Sequence, residues 1–238
     1  MSLPAFDDIP EPQAAPRRGL LLLLDVIAAP RRAFVTIAAT REWLPAFLLV
    51  TVLGVAGSLL LAPALEHVIG HETLSDPSGT RTSAADVARL AGSEVANEIL
   101  LQTIGALMFW VWTAVILTAV SGKGPKSFLV YFSLAANTAI PAAIGFFVFS
   151  AFIAAHNPAG YSSFSDLNRA LPDSLAIFET QPNEGAVAFL ASFDVFQLWS
   201  SLLLAFGLYA IGKVELFWAL VTSFALWLVF ALLQTVGL

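Results

Sequence analysis

Long runs without a charged side chain alternate with short charged stretches along this chain, and the runs are of membrane-crossing length. A helix crossing a hydrocarbon core of ~30 Å needs about 20 apolar residues. Five segments meet or approach that length: 43–65, 99–120, 127–155, 195–212 and 216–238. None contains Asp, Glu, Lys or Arg, and Lys213 and Glu215 fall in the gap between the last two. The fourth segment is short. The third is long and holds Pro141, which predicts a kink or a tilt. The pattern predicts an all-α polytopic membrane protein, a five-transmembrane-helix bundle with an N-terminal interfacial amphipathic helix. Residues 1–18 read as a disordered cytoplasmic tail ahead of a membrane domain over 19–238.

The stretch before the first run, "LLLLLDVIAAPRRAFVTIAATREW", gives the interfacial helix. With the preceding arginines it imitates a secretion signal, which has a basic start, 7–15 apolar residues and a small-residue cleavage site. Asp25 interrupts the run, and Asp7, Asp8 and Glu11 precede the arginines, so a cleaved signal is disfavoured. Leu20–Ala29 is too short to span. Pro30 suits a first helical position, where its missing N–H costs nothing. Phe34, Ile37 and Ala38 then share one face, and Arg32, Thr36 and Thr40 the other. The expectation is a helix lying in the membrane interface, with Arg31 and Arg32 at lipid phosphates, Phe34 in lipid and Trp43 at the boundary. Asp25 can pair with Arg31 or Arg32.

Composition agrees with the spans. The chain is 58% hydrophobic and 12% charged, against roughly a quarter charged in soluble domains. A formal net charge of −6 argues against a nucleic-acid partner. The absence of cysteine excludes disulfides, thiolate metal sites and cysteine nucleophiles. Orientation follows from the 11 basic residues. With the N-terminus cytoplasmic, Arg17, Arg18, Arg31, Arg32, Arg41, Lys123, Lys126 and Lys213 face inward, and Arg81, Arg89 and Arg169 outward. Trp43, Tyr131, Tyr209 and Trp218 then fall near the cytoplasmic boundary, where amphipathic rings settle. The C-terminus ends at the outer face, and a bacterial inner membrane is the expected location.

Two outer loops are expected, roughly 66–98 and 156–194. Ser83 and Asp86 have capping-box spacing, so a helix should start there and run into the second span. The second loop, with Pro158, Pro172, Pro182 and Gly185, should hold short broken helices.

Candidate chemistry is sparse. "EHVIGHE" spaces His67 and His71 by one helical turn beside Glu66 and Glu72, with His156 on the same side. Such spacing can hold zinc, but the stretch lacks H-E-x-x-H and Gly70 weakens a helix, so a solvated loop is expected. Pro141 deprives the carbonyl of Asn137 of its helical donor. Asn137 and Pro141 therefore make a polar spot expected near the middle of the third span, as in broken transporter helices or as interhelical glue. Asp194 opens the fourth segment, where it complements the helix dipole. Small residues, Ala135, Ala139 and Ala143 in one span and Gly54 with Ser58 in another, permit close packing. No catalytic or phosphate-binding motif is present. The sequence calls for no enzyme activity, no metal and no cofactor.

Three segments carry a family resemblance. "IAAPRRAFVTIAATREWLPAFLL" resembles the opening of the Yip (Ypt-interacting protein) domain. "AANTAIPAAI" is similar to its third-span proline segment, and "FLASFDVFQLWSSLLLAFGL" to its fourth-span signature. The matching positions are Pro30, Phe34, Trp43, Pro141, Asp194, Phe196, Trp199 and Gly207. The resemblance implies an all-helical, five-span protein with a cytoplasmic N-terminus. Eukaryotic relatives act in vesicle traffic and contact small GTPases through a long N-terminal segment. The short segment before the membrane domain here departs from that and looks like the compact prokaryotic members. The expected function is non-enzymatic organisation of membrane lipid or partner proteins, with lipids, other membrane proteins or a second copy as partners. The alternative is a small-solute or lipid transporter with its site at Asn137 and Pro141.

Overall fold

The computed structural model of the chain describes residues 19–75, 83–121, 125–170, 174–179, 184–212 and 214–235. The expected tail, 1–18, lies outside them. The long helices are α3 (Leu44–Ser75), α4 (Ala84–Leu100), α5 (Ala106–Ser121), α6 (Phe128–Thr138), α7 (Ile140–Ala155), α10 (Val195–Gly212) and α11 (Leu216–Thr235). Before them come α1 (Leu20–Ala28) and α2 (Pro30–Thr40). Two short helices, α8 (Phe164–Arg169) and α9 (Glu184–Ala191), precede α10. Among the described residues four stretches are long and apolar enough to cross a membrane: Leu44–Thr73, Ala84–Ser121, Phe128–Ala155 and Val195–Gly212. The fifth expected segment holds a shorter apolar stretch, Leu216–Leu232.

The helix before the loop expected over 66–98 runs further than expected. α3 runs through "EHVIGHE" to Ser75, because Val68 and Ile69 are buried and the Thr73 hydroxyl donates to the Ile69 carbonyl. Packing of an apolar face outweighs the helix cost of one glycine, roughly 1 kcal/mol. α4 starts where its capping box predicts: the Ser83 side chain accepts from the Asp86 N–H, and the Asp86 carboxylate accepts from the Ser83 N–H. A π-helical turn, Leu101–Gly105, joins α4 to α5.

The chain forms two compact units. The first comprises residues up to Val50, Gly105–Ala142 and Leu198–Phe230. In it α1 and α2 form a helical hairpin that packs on α6, and α6 packs on α5. Pro30 occupies the start of α2, and Arg41 ends it in the left-handed conformation, φ 56°, donating its N–H to the Ile37 carbonyl. Phe34 and Ile37 are buried inside the chain, at 0% and 1% exposure. The apolar face of α2 therefore meets protein, not lipid. Thr36, expected on the polar face, is buried too and donates to the Arg32 carbonyl. Trp110, Trp43, Phe47 and Phe132 pack edge to face around the start of α3. α10 lies so close to α6 that a Cβ on Gly207 would collide with Leu134.

The second unit comprises Thr51–Ile104, Ala143–Gln197 and Ala231–Leu238. Leu61, Ala64, Leu65, Val68, Ile153 and Leu167 make its core. A Cβ on Gly145 would lie 2.6 Å from the Phe196 ring, so this close approach requires glycine. The second loop is made of short helices, as its prolines predict. In α8 the Asp166 carboxylate accepts from the Ser162 N–H at 3.2 Å and hydroxyl at 2.6 Å. Hydrogen bonds from Ser162 first, then Ser163, hold this carboxyl below its usual range, with Arg169 assisting and burial opposing. A depressed folded value means the carboxylate stabilises α8 at ordinary pH and the contribution is lost as pH falls through that lowered value. Amide exchange across 162–169 should therefore quicken only below the usual carboxylate range, and at neutral pH in Asp166→Asn. Unchanged protection in that variant would contradict the assignment.

Candidate functional site

The polar groups inside the first unit converge on Asn137. α6 ends at Thr138 because Pro141 cannot continue the ladder, and Ala139 turns the chain into α7. The side chain of Asn137, 1% exposed, points back to the link between α2 and α3. Its Nδ2 donates to the Glu42 carbonyl at 2.8 Å and to the Ser133 carbonyl at 2.8 Å. Glu42 in turn accepts the Gly19 N–H at 3.1 Å on its carboxylate, which closes the open end of the hairpin. The Ala142 N–H, exposed by the break, donates to the Ser200 hydroxyl at 3.1 Å. Asn137 is thus a clasp tying hairpin, α6 and α3 together. It stands level with the start of the first long helix. Its Oδ1 is buried and has no hydrogen-bond partner among the described residues. An amide with both N–H groups on main-chain carbonyls can still accept one bond from a water or ligand donor.

The other predicted positions separate. Arg31 and Arg32 are exposed at the turn of the hairpin, Phe34 is buried beneath it, and Trp43 is half-buried against Phe132. Asp194 caps α10 by accepting the Gln197 N–H at 2.8 Å. Phe196 packs on Gly145, and Trp199 is half-buried. His67 and His71 line an open groove of about 560 Å³ with Glu66, Asn157 and Val87. His156 stacks on Phe152 instead, with ring centroids 4.1 Å apart. Among the described residues no three His, Asp or Glu side chains are placed to share a metal ion.

One polar pair went unread in the sequence. Gln102, in the π-turn, donates to the Glu98 carboxylate at 3.1 Å, and a Cβ on Gly54 would lie 2.8 Å from the Gln102 Cβ. The i, i+4 spacing of Glu98 and Gln102 is the available signal, masked because the uncharged run begins only at Ile99 and separates the two. The π-turn widens the helix by one residue there, and such turns often mark functional positions.

No family model, curated protein or solved structure matches the chain.

Proposed function

We propose that the chain is a five-span protein of the Yip-domain type, with its N-terminus in the cytoplasm and its C-terminus at the outer face of a bacterial inner membrane. It works without catalysis, as an organiser of membrane lipid or partner proteins. The observation that carries this reading is the outer surface of the helices. Leu48, Val52 and Leu59 of α3, Met108, Trp112 and Val120 of α5, Val148 and Phe152 of α7 and Phe217, Trp218 and Val221 of α11 all face away from the chain. Leaving a large apolar side chain in water costs about 1.5–3 kcal/mol, so such a surface fits lipid. α11 supports a fifth crossing: Leu216–Thr235 is 20 residues, ~30 Å of helix. Exposed Tyr209 and Trp218 suit one interface, whereas Tyr131 is buried.

The hairpin is the element suited to organising lipid, because its arginines are exposed and its seat is fixed by Asn137. Arg31→Glu with Arg32→Glu should lower the anionic lipid that co-purifies with the protein several-fold, measured by mass spectrometry, while helicity is kept. Equal lipid in wild type and variant would contradict the reading. A second reading, transport through a site at Asn137 and Pro141, is favoured by one observation, the buried Oδ1 that no described residue bonds. It requires solute or lipid flux in proteoliposomes that Asn137→Leu abolishes.

A further inference from the structure

We infer that α1, not α2, is the lipid-contacting element: the hairpin lies in the plane of the membrane surface with one stripe of α1 among acyl chains and its arginines on anionic phosphates. The inference deepens the membrane reading above and rests on it. Leu20, Leu21, Leu24 and Ile27 make a single stripe along α1, and all face away from the protein, Leu20 at 71% exposure. The opposite side, Leu22, Leu23 and Val26, is buried against the rest of the hairpin and α6. A helix whose outer side is wholly apolar, with protein among the described residues only on its other side, needs a second apolar medium on that outer side. Its one charged residue, Asp25, is on the buried side, so nothing on the outer stripe resists lipid.

The arginines set the direction. Arg31 and Arg32 stand at the turn of the hairpin and Arg41 at its open end, all exposed. A hairpin standing along the membrane normal would carry one set of guanidinium groups into hydrocarbon. Cations at both ends keep both ends at headgroup depth, which lays the hairpin flat. Nine residues of α1 make ~13 Å of helix, far too short to cross. The occupant is lipid rather than a second copy. The stripe belongs to the same unit as the outward-facing Trp112, Val115 and Val120 of α5. Anionic headgroups also complement the flanking arginines, whereas a second copy would bring like charges together.

The chain has no native cysteine, so single reporters can be placed by substitution. Fluorescent labels at Leu24→Cys, Arg32→Cys and Trp112→Cys, in vesicles of phosphatidylglycerol and phosphatidylcholine, would be exposed to a lipid-borne and an aqueous quencher. The label at 24 should be quenched by the lipid-borne agent as strongly as that at 112, and by the aqueous agent several-fold less than that at 32. A label at 24 as open to water as that at 32, or shielded from both agents, overturns the inference while 112 still reports lipid. Loss of lipid quenching at 112 as well would overturn the membrane reading with it.

Discussion

Phe34→Ala should destabilise the protein by about 3–5 kcal/mol, the range for removing a buried aromatic ring. Phe34 has no exposed surface. It belongs to the face by which α2 meets α1 and α6, so its removal leaves a cavity beneath the hairpin. Relaxation cannot close it cheaply, because α6 is buried over Val130–Thr138 and the Asn137 clasp fixes the far end at Glu42. The damage should be local first. Limited proteolysis ought to cut within 19–42 while the long helices stay intact, and unfolding in micelles should begin at lower denaturant. A variant as resistant as wild type would mean that Phe34 faces lipid, as the sequence alone suggested.

Trp110→Ala should have an effect of similar size, about 3–5 kcal/mol, with a different signature. Trp110 is fully buried and meets Phe47 at 6.2 Å and Phe132 at 6.1 Å, both edge to face. Each such pair contributes about 0.5–1.5 kcal/mol beyond area burial. In a bilayer the separated helices still face hydrocarbon, so the loss is one of packing rather than of hydration. α3, α5 and α6 should therefore loosen together, seen as faster hydrogen exchange in all three. Trp110→Phe should recover much of the loss by refilling the cavity. Exchange confined to α5 would show that the aromatic cluster does not couple these helices.

Hydropathy carried the broad architecture because charge marks where apolar runs stop. Asp194 and Lys213 bracket α10, which spans Val195–Gly212 as expected, and Ser83 with Asp86 opens α4 through a formed capping box. Proline placed both the start of α2 and the break after α6. What could not be read is which apolar surface meets protein and which meets lipid. In α1 the same residue type goes both ways: Leu22 and Leu23 are buried and Leu20, Leu21 and Leu24 are not. Hydropathy is blind to that choice, since both surroundings are apolar. The same blindness put the face of Phe34 in the membrane. The Asn137 clasp was legible as a polar spot in an apolar run, but its partner, a main-chain carbonyl 95 residues away, has no side-chain signature.

The central claim is that this chain crosses the membrane repeatedly with its N-terminus inside. Lys126→Cys and Gly160→Cys probe it most directly: Lys126 is exposed, and a side chain at Gly160 meets nothing within 4 Å. A membrane-impermeant thiol reagent should label position 160 in intact cells and position 126 only after permeabilisation. Labelling of position 126 in intact cells, or equal labelling of both, would contradict it.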